Sequence, residues 1–137
     1  MRTAIDTNIL SAILSNEPTA ASIAQQLGAA RGDGALLLAP PVYSELLAHP
    51  NVSESLLNRF LEDTGVIVDF LLSEETWVEA GRRFARYARR RHRSGHGQPK
   101  RLLADFVIGA HALLQADRLM TLDSARFKQD FPELKLL

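Results

Sequence analysis

The chain contains no cysteine, which excludes disulfide frameworks, thiolate metal sites and cysteine nucleophiles together. Its four histidines, His49, His92, His96 and His111, show no HExxH or other zinc-ligand spacing, so zinc is not expected. Net charge is also missing, since 16 Lys and Arg balance 16 Asp and Glu. No apolar run approaches the ~20 residues that cross a bilayer. The N-terminal stretch lacks an apolar h-region and a small-residue cleavage site, and Asp6 interrupts it, so no secretory signal is read there. G-x-S-x-G and G-x-x-x-x-G-K-[ST] are both absent, leaving serine-hydrolase and P-loop readings without support. These absences lead to the expectation of a cytoplasmic globular protein.

What is present fits one domain over residues 1–137, 46% of them apolar, because single cores commonly reach this size before chains divide. Short apolar runs occur at residues 2–5, at ALLLAP from Ala35, at GVIVDF from Gly65, at RLMTLD from Arg118 and weakly in ELKLL at the end. Continuous rather than alternating runs suit strands buried on both faces of a parallel sheet. Between them the pattern is helical at 19–30, 41–48, 53–63, 73–93 and 101–116. The alternation predicts an α/β domain with right-handed crossovers. RGDG at 31–34 reads as a turn, HPN at 49–51 as a break between helices, and SGHGQPK at 94–100 as a flexible loop. In the 73–93 helix, Trp77, Gly81, Phe84 and Ala88 recur at steps of four, three and four, which predicts a core-facing stripe.

The neutral total hides a concentration of charge. Arg82, Arg83, Arg86, Arg89, Arg90, Arg91, Arg93, Lys100 and Arg101 make nine of the sixteen basic residues, with no acid among them. A segment of this density is a candidate phosphate-binding face, or one that meets acidic residues of a protein partner.

Four carboxylates stand in apolar settings. Asp6 in AIDTN and Asp123 in LMTLD end predicted strands; Glu45 follows the second strand in PPVYSELL; Asp105 interrupts the apolar helix of KRLLADFVIGAHALL. Three of them have an ordinary explanation: Asp6 as a helix cap, Asp105 as a first-turn acid favoured by the helix dipole, Glu45 as an exposed helix residue. Gly109 and Ala112, four and seven residues after Asp105, predict a face that packs close to the sheet. In an open parallel sheet, however, ligands bind outside the carboxyl ends of the strands; Asp6 and Asp123 project into one such crevice if their strands are neighbours, and Glu45 and Asp105 can face it. Two carboxylates about 4 Å apart repel by roughly 4 kcal/mol at an effective dielectric near 20. Protonation is one remedy and a hard divalent cation the other, for which oxygen-only ligation selects Mg²⁺ or Mn²⁺. Such an ion suits phosphodiester hydrolysis.

AIDTNIL, VYSELL, LLADFVIGAHALL and LMTLDSARF resemble, in number, order and spacing, the motifs of the PIN-domain ribonucleases, and most closely the VapC-type toxins of toxin-antitoxin pairs. The resemblance implies a three-layer α/β/α sandwich around a mostly parallel five-stranded sheet of order 3-2-1-4-5, and metal-dependent endonucleolytic cleavage of RNA. It implies that Asp6 and Asp105 are the principal metal ligands, that Glu45 binds directly or through water, and that Asp123 completes the site. Thr7 matches the hydroxyl residue that positions water or the first carboxylate; Asn8 matches as a turn and capping residue. A small antitoxin that covers the active site and a homodimer are implied as well. The sequence departs from the pattern at Arg126, where many relatives carry a further polar or acidic residue before the phenylalanine, and this leaves the number of metals open. Charge alone assigns Arg86, Arg89, Arg90, Arg93, Lys100 and Arg101 to guiding RNA phosphates, and an unpaired RNA segment fits a cleft better than a duplex. The rival from another class is a PIN-like module that binds RNA or protein without cutting it.

Overall fold

The computed structural model describes residues 1–95 and 100–137. Strand β1 (Thr3–Ile5) leads into helices α1 (Thr7–Leu14) and α2 (Ala20–Asp33); β2 (Leu36–Leu38) leads into α3 (Pro40–Leu47) and α4 (Glu54–Thr64). β3 (Val66–Val68) is followed by α5 (Glu74–Arg93) and α6 (Leu103–Gln115), and β4 (Arg118–Met120) by α7 (Ser124–Asp130). The strands pair in parallel in the order β3-β2-β1-β4. The place of the fifth predicted strand is taken by the C-terminal residues, which make a parallel bridge between Leu119 and Leu136. The Leu119 N–H donates to the Lys135 carbonyl at 2.9 Å, and the Leu137 N–H donates to the Leu119 carbonyl at 2.9 Å.

Each three-residue strand is short because its apolar run is short, and β1, β2 and β4 are buried along their whole length. The chain moves outward from β1 to β3 and then returns to the other side of β1 with β4. Right-handed crossovers on a sheet that reverses in this way lie on opposite faces, and the reversal leaves a crevice beyond the carboxyl ends of β1 and β4. Ile5 lies opposite Met120 in that pair. Leu10, Leu38, Leu46, Phe106, Ile108 and Leu119 are among the fully buried side chains that fill the core.

Several expectations need correction. α1 and α7 are helices that the sequence pattern does not predict, and RGDG is not a free turn, because α2 continues through Asp33. The α5 stripe is displaced by one residue: Thr76, Ala80, Arg83 and Tyr87 are buried, whereas Trp77 is 51% exposed. The reason is Arg83, whose guanidinium enters the interior on the carboxylates of Glu79 (2.8 Å) and Glu133 (2.5 Å) and the Asp130 carbonyl (3.0 Å). Pairing with Glu133 first, and then with Glu79, raises the arginine's affinity for its proton, and the same pairing lowers Glu133 to about 2. Of the SGHGQPK loop, residues 96–99 lie outside the described residues.

Gly109 has a different role from the expected approach to the sheet. A Cβ placed there would meet the ring of Phe131, a fully buried side chain that also packs at 6.2 Å from Phe106, centroid to centroid. Gly109→Ala is therefore expected to destabilise the protein by about 1–3 kcal/mol through overpacking, measured by urea denaturation.

His111, fully buried in α6, faces Asp69 with Nε2 at 3.0 Å from Oδ2; its Nδ1 has no hydrogen-bond partner among the described residues. Burial lowers its pKa below 6.5 and outweighs the hydrogen bond and charge of Asp69. The unfolded chain thus binds a proton more readily than the folded one. The stabilisation is complete above pH ~6.5 and is lost as pH falls through the lower folded-state pKa. The slope of stability against pH below 6.5 should be shallower in His111→Gln than in the parent, as read by thermal melts at stepped pH.

A candidate active site of four carboxylates and an arginine

Asp6 is the first residue beyond β1. Its backbone N–H donates to the Met120 carbonyl at 3.0 Å, which registers it against the end of β4. The side chain caps α1, with Oδ1 accepting from the Thr7 N–H at 2.8 Å. Its other oxygen, Oδ2, accepts from the Thr121 hydroxyl at 2.8 Å and from Arg126 Nη2 at 2.8 Å. The residue is buried, and burial raises its pKa above the ordinary value, against the Thr121 hydroxyl, the Arg126 charge and the Thr7 N–H, which lower it.

Asp105 arrives from the first turn of α6. Its Oδ2 accepts from the Leu102 N–H at 3.3 Å, and Oδ1 lies 3.5 Å from Arg126 Nη1. Asp123, at the N-cap of α7, presents Oδ2 at 3.7 Å from Arg126 Nε, and its own N–H donates to the Thr121 hydroxyl at 3.0 Å. Glu45 reaches in from α3, where its Oε1 accepts from the Thr7 hydroxyl at 3.3 Å. Its pKa is raised first by partial burial and then by the negative charges of Asp6 and Asp105, against the Thr7 hydroxyl. Asn8 fastens the loop after β4 by accepting from the Leu122 N–H at 3.2 Å.

The structure thus brings Asp6, Asp105 and Asp123 around one guanidinium and joins Glu45 to them through Thr7. Sequence reasoning misses two members. Thr121 bridges Asp6 and Asp123, and its only signal is a hydroxyl residue at a strand end in LMTLD. Arg126 stands out in the sequence as a departure from a pattern, and nothing local announces that it turns inward to three acids.

The donor set is oxygen throughout, which suits a hard divalent cation, and these side chains already surround a positive charge. Asp6, Asp105 and Asp123, with Glu45 at the rim, would hold such an ion. Among the described residues no group of three or more His, Cys, Asp or Glu is arranged to hold a metal ion as it stands; Asp6, Asp105 and Asp123 face the guanidinium of Arg126.

The basic candidates lie along α5 and just beyond it. Arg86, Arg89, Arg93 and Lys100 are at least partly exposed, and Arg101 is half-buried. Arg90 is ion-paired with the buried carboxylate of Asp130. Arg101 shares a depression with Asp105 and Arg126, and its backbone N–H donates to the Tyr87 hydroxyl at 2.5 Å. The basic segment therefore runs up to the rim of the acidic cluster. No helix among the described residues is long and apolar enough to cross a membrane.

Comparison with known proteins places this geometry. No curated protein matches the chain. Among solved structures, the chain is similar to that of VapBC2 from Rickettsia felis bound to a DNA fragment from their promoter, with a TM-score of 0.69 and 20% identity over 100% of this chain and 98% of that one. It is likewise similar to VapBC-1 from nontypeable Haemophilus influenzae, with a TM-score of 0.64 and 22% identity over 100% of this chain and 97% of that one. The model of the PIN domain family matches residues 3–130. The sheet order, the carboxylates at its edge and this match together show that the chain belongs to the PIN domain family.

Proposed function

We propose that this protein is a metal-dependent endoribonuclease that hydrolyses phosphodiester bonds in RNA, and that it acts as the toxin of a VapBC-type toxin-antitoxin pair. The observation that carries the reading is the convergence of Asp6, Asp105 and Asp123 on one positive charge at the carboxyl edge of the sheet, with Glu45 tied in through Thr7. Membership of a family composed generally of nucleases supports it. A bound Mg²⁺ or Mn²⁺ supplies a Lewis acid and an activated water there. The chain's own contribution is orientation. Thr121 holds one oxygen of Asp6 and the Thr7 N–H holds the other, so the carboxylate cannot rotate. The Thr7 hydroxyl keeps Glu45 turned inward. Arg86, Arg89, Arg93, Lys100 and Arg101 draw an unpaired RNA segment toward the carboxylates by its phosphates.

Likeness to VapBC structures supports a small antitoxin as partner. Exposed Phe70, Leu71 and Trp77 favour a surface covered by protein, in a homodimer or against the antitoxin. The second reading, a module that binds RNA or protein without cutting, is favoured by Arg126, which already offsets charge that a metal would otherwise neutralise.

Incubation of the protein and its Asp6→Asn variant with a pool of structured RNAs, with Mg²⁺ or Mn²⁺ and with chelator, separates the two. Cleavage should need metal and should fall by ~100-fold or more in the variant, as for loss of a metal ligand or one principal electrostatic group. RNA binding without cleavage by either protein would establish the binding module. For the basic face, Arg86→Ala, Arg89→Ala and Arg93→Ala combined should weaken RNA binding and lower the salt slope by ~0.7 for each phosphate that is no longer neutralised. Weakened antitoxin affinity with RNA binding retained would instead assign those arginines to the protein interface.

A further inference from the structure

Arg126 has no part in the orientation just described, yet it is the centre of the cluster. Its Nη2 lies 2.8 Å from Asp6 Oδ2, its Nη1 3.5 Å from Asp105 Oδ1 and its Nε 3.7 Å from Asp123 Oδ2. Each nitrogen of the fork therefore faces a different carboxylate. The buried Nε makes no hydrogen bond among the described residues, so the third contact is one of charge alone. The guanidinium carbon sits 4.8 Å from the centroid of the Phe127 ring, a fully buried side chain that supports the guanidinium.

These are the same carboxylates that would ligate a divalent ion, and the oxygens that face the guanidinium would be shared between two cations. A carboxylate has about four acceptor positions, and Asp6 has given three of them to Thr7, Thr121 and Arg126. The Thr7 contact is a backbone N–H and the Thr121 contact comes from a short side chain at the end of β4, whereas the guanidinium stands on a long side chain that can withdraw. Its side chain is 22% exposed, so it has a route to solvent. A divalent ion held at ~2.1 Å from carboxylate oxygen would also stand within a few ångströms of the guanidinium charge, where like charges repel strongly in a partly buried site.

We propose that Arg126 is an internal counter-ion that competes with the divalent cation for Asp6, Asp105 and Asp123, so that metal binding requires the guanidinium to withdraw from the cluster. The inference rests on the reading above that this cluster binds a divalent ion. It accounts for two features together: acids that gather without forming a metal cluster among the described residues, and an arginine that points into a site rather than away from it.

Isothermal titration of the full chain with MnCl₂, alongside thermal melts with and without Mn²⁺, tests the competition. Arg126→Gln should bind Mn²⁺ at least ~10-fold more tightly than the parent, since it keeps polarity and removes the opposing charge. It should also melt lower than the parent in chelator and gain more from added Mn²⁺. Arg126→Lys, whose compact ammonium cannot face three carboxylates at once, should fold even where the glutamine variant does not, and should bind Mn²⁺ more tightly than the parent. Asp6→Asn should weaken Mn²⁺ binding. Unchanged or weaker Mn²⁺ affinity in the Arg126 variants, with binding still abolished in Asp6→Asn, would overturn the competition and leave the metal site standing. Absence of Mn²⁺ binding in the parent and in every variant would overturn the metal site itself, and the competition with it.

Discussion

The structure depends on how like charges are held together at one edge of a small sheet. Asp6, Glu45, Asp105 and Asp123 are brought to the carboxyl ends of β1, β2 and β4, and carboxylate pairs about 4 Å apart oppose folding by roughly 4 kcal/mol each at an effective dielectric near 20. A domain stable by ~5–15 kcal/mol cannot carry several such terms uncompensated. Arg126 supplies the compensation from within the chain, aimed at three of the acids at once. Burial still raises the pKa of Asp6, against the lowering by the Thr121 hydroxyl, the Arg126 charge and the Thr7 N–H.

The scaffold behind this edge is organised by a second arginine. Arg83 is buried in α5 on Glu79, Glu133 and the Asp130 carbonyl, and lies 4.7 Å over the Phe131 ring. Phe131 in turn packs against Phe106, which meets Phe84 edge-on and Tyr87 at a tilt. Phe106 follows Asp105 in α6, and Phe127 follows Arg126 in α7. The aromatic layer thus fixes the two helices that bring an acid and its counter-ion into the crevice. The arginines of α5 divide accordingly: Arg83 and Arg90 are committed to structure, whereas Arg86, Arg89 and Arg93 face outward.

Much of this is legible in the chain, for physical reasons that differ by element. The strands are visible because short continuous apolar runs mark them: LLL is buried throughout, VIV is equally apolar although Ile67 of this edge strand is exposed, and RLM carries its apolar pair behind the buried Arg118. The four carboxylates are visible because acids are conspicuous in apolar surroundings. α1 and α7 are not: at 8 and 7 residues they are too short for periodicity to mark them, and they lack the proline pair that signals the start of the equally short α3. Periodicity misplaces the buried face of α5 because it counts apolar residues and cannot foresee that Arg83 enters on distant Glu133. Arg126 and Thr121 share that limit, because their roles consist of contacts to Asp6, more than a hundred residues away.

Capping and ligand chemistry look like competing explanations of the aspartates, and the structure makes them one. Asp6 caps α1 and Asp105 lies in the first turn of α6. Two helix N-termini therefore open on the same crevice, each contributing unsatisfied N–H groups and roughly half a positive charge. Asp6 and Asp105 take hydrogen bonds from those backbone donors with one oxygen and turn the other toward the cation. A carboxylate at such a position is stabilised by its own helix before any ion arrives. That is how a chain of balanced charge concentrates acid at one point: the helix that delivers each of these carboxylates also offsets part of its charge.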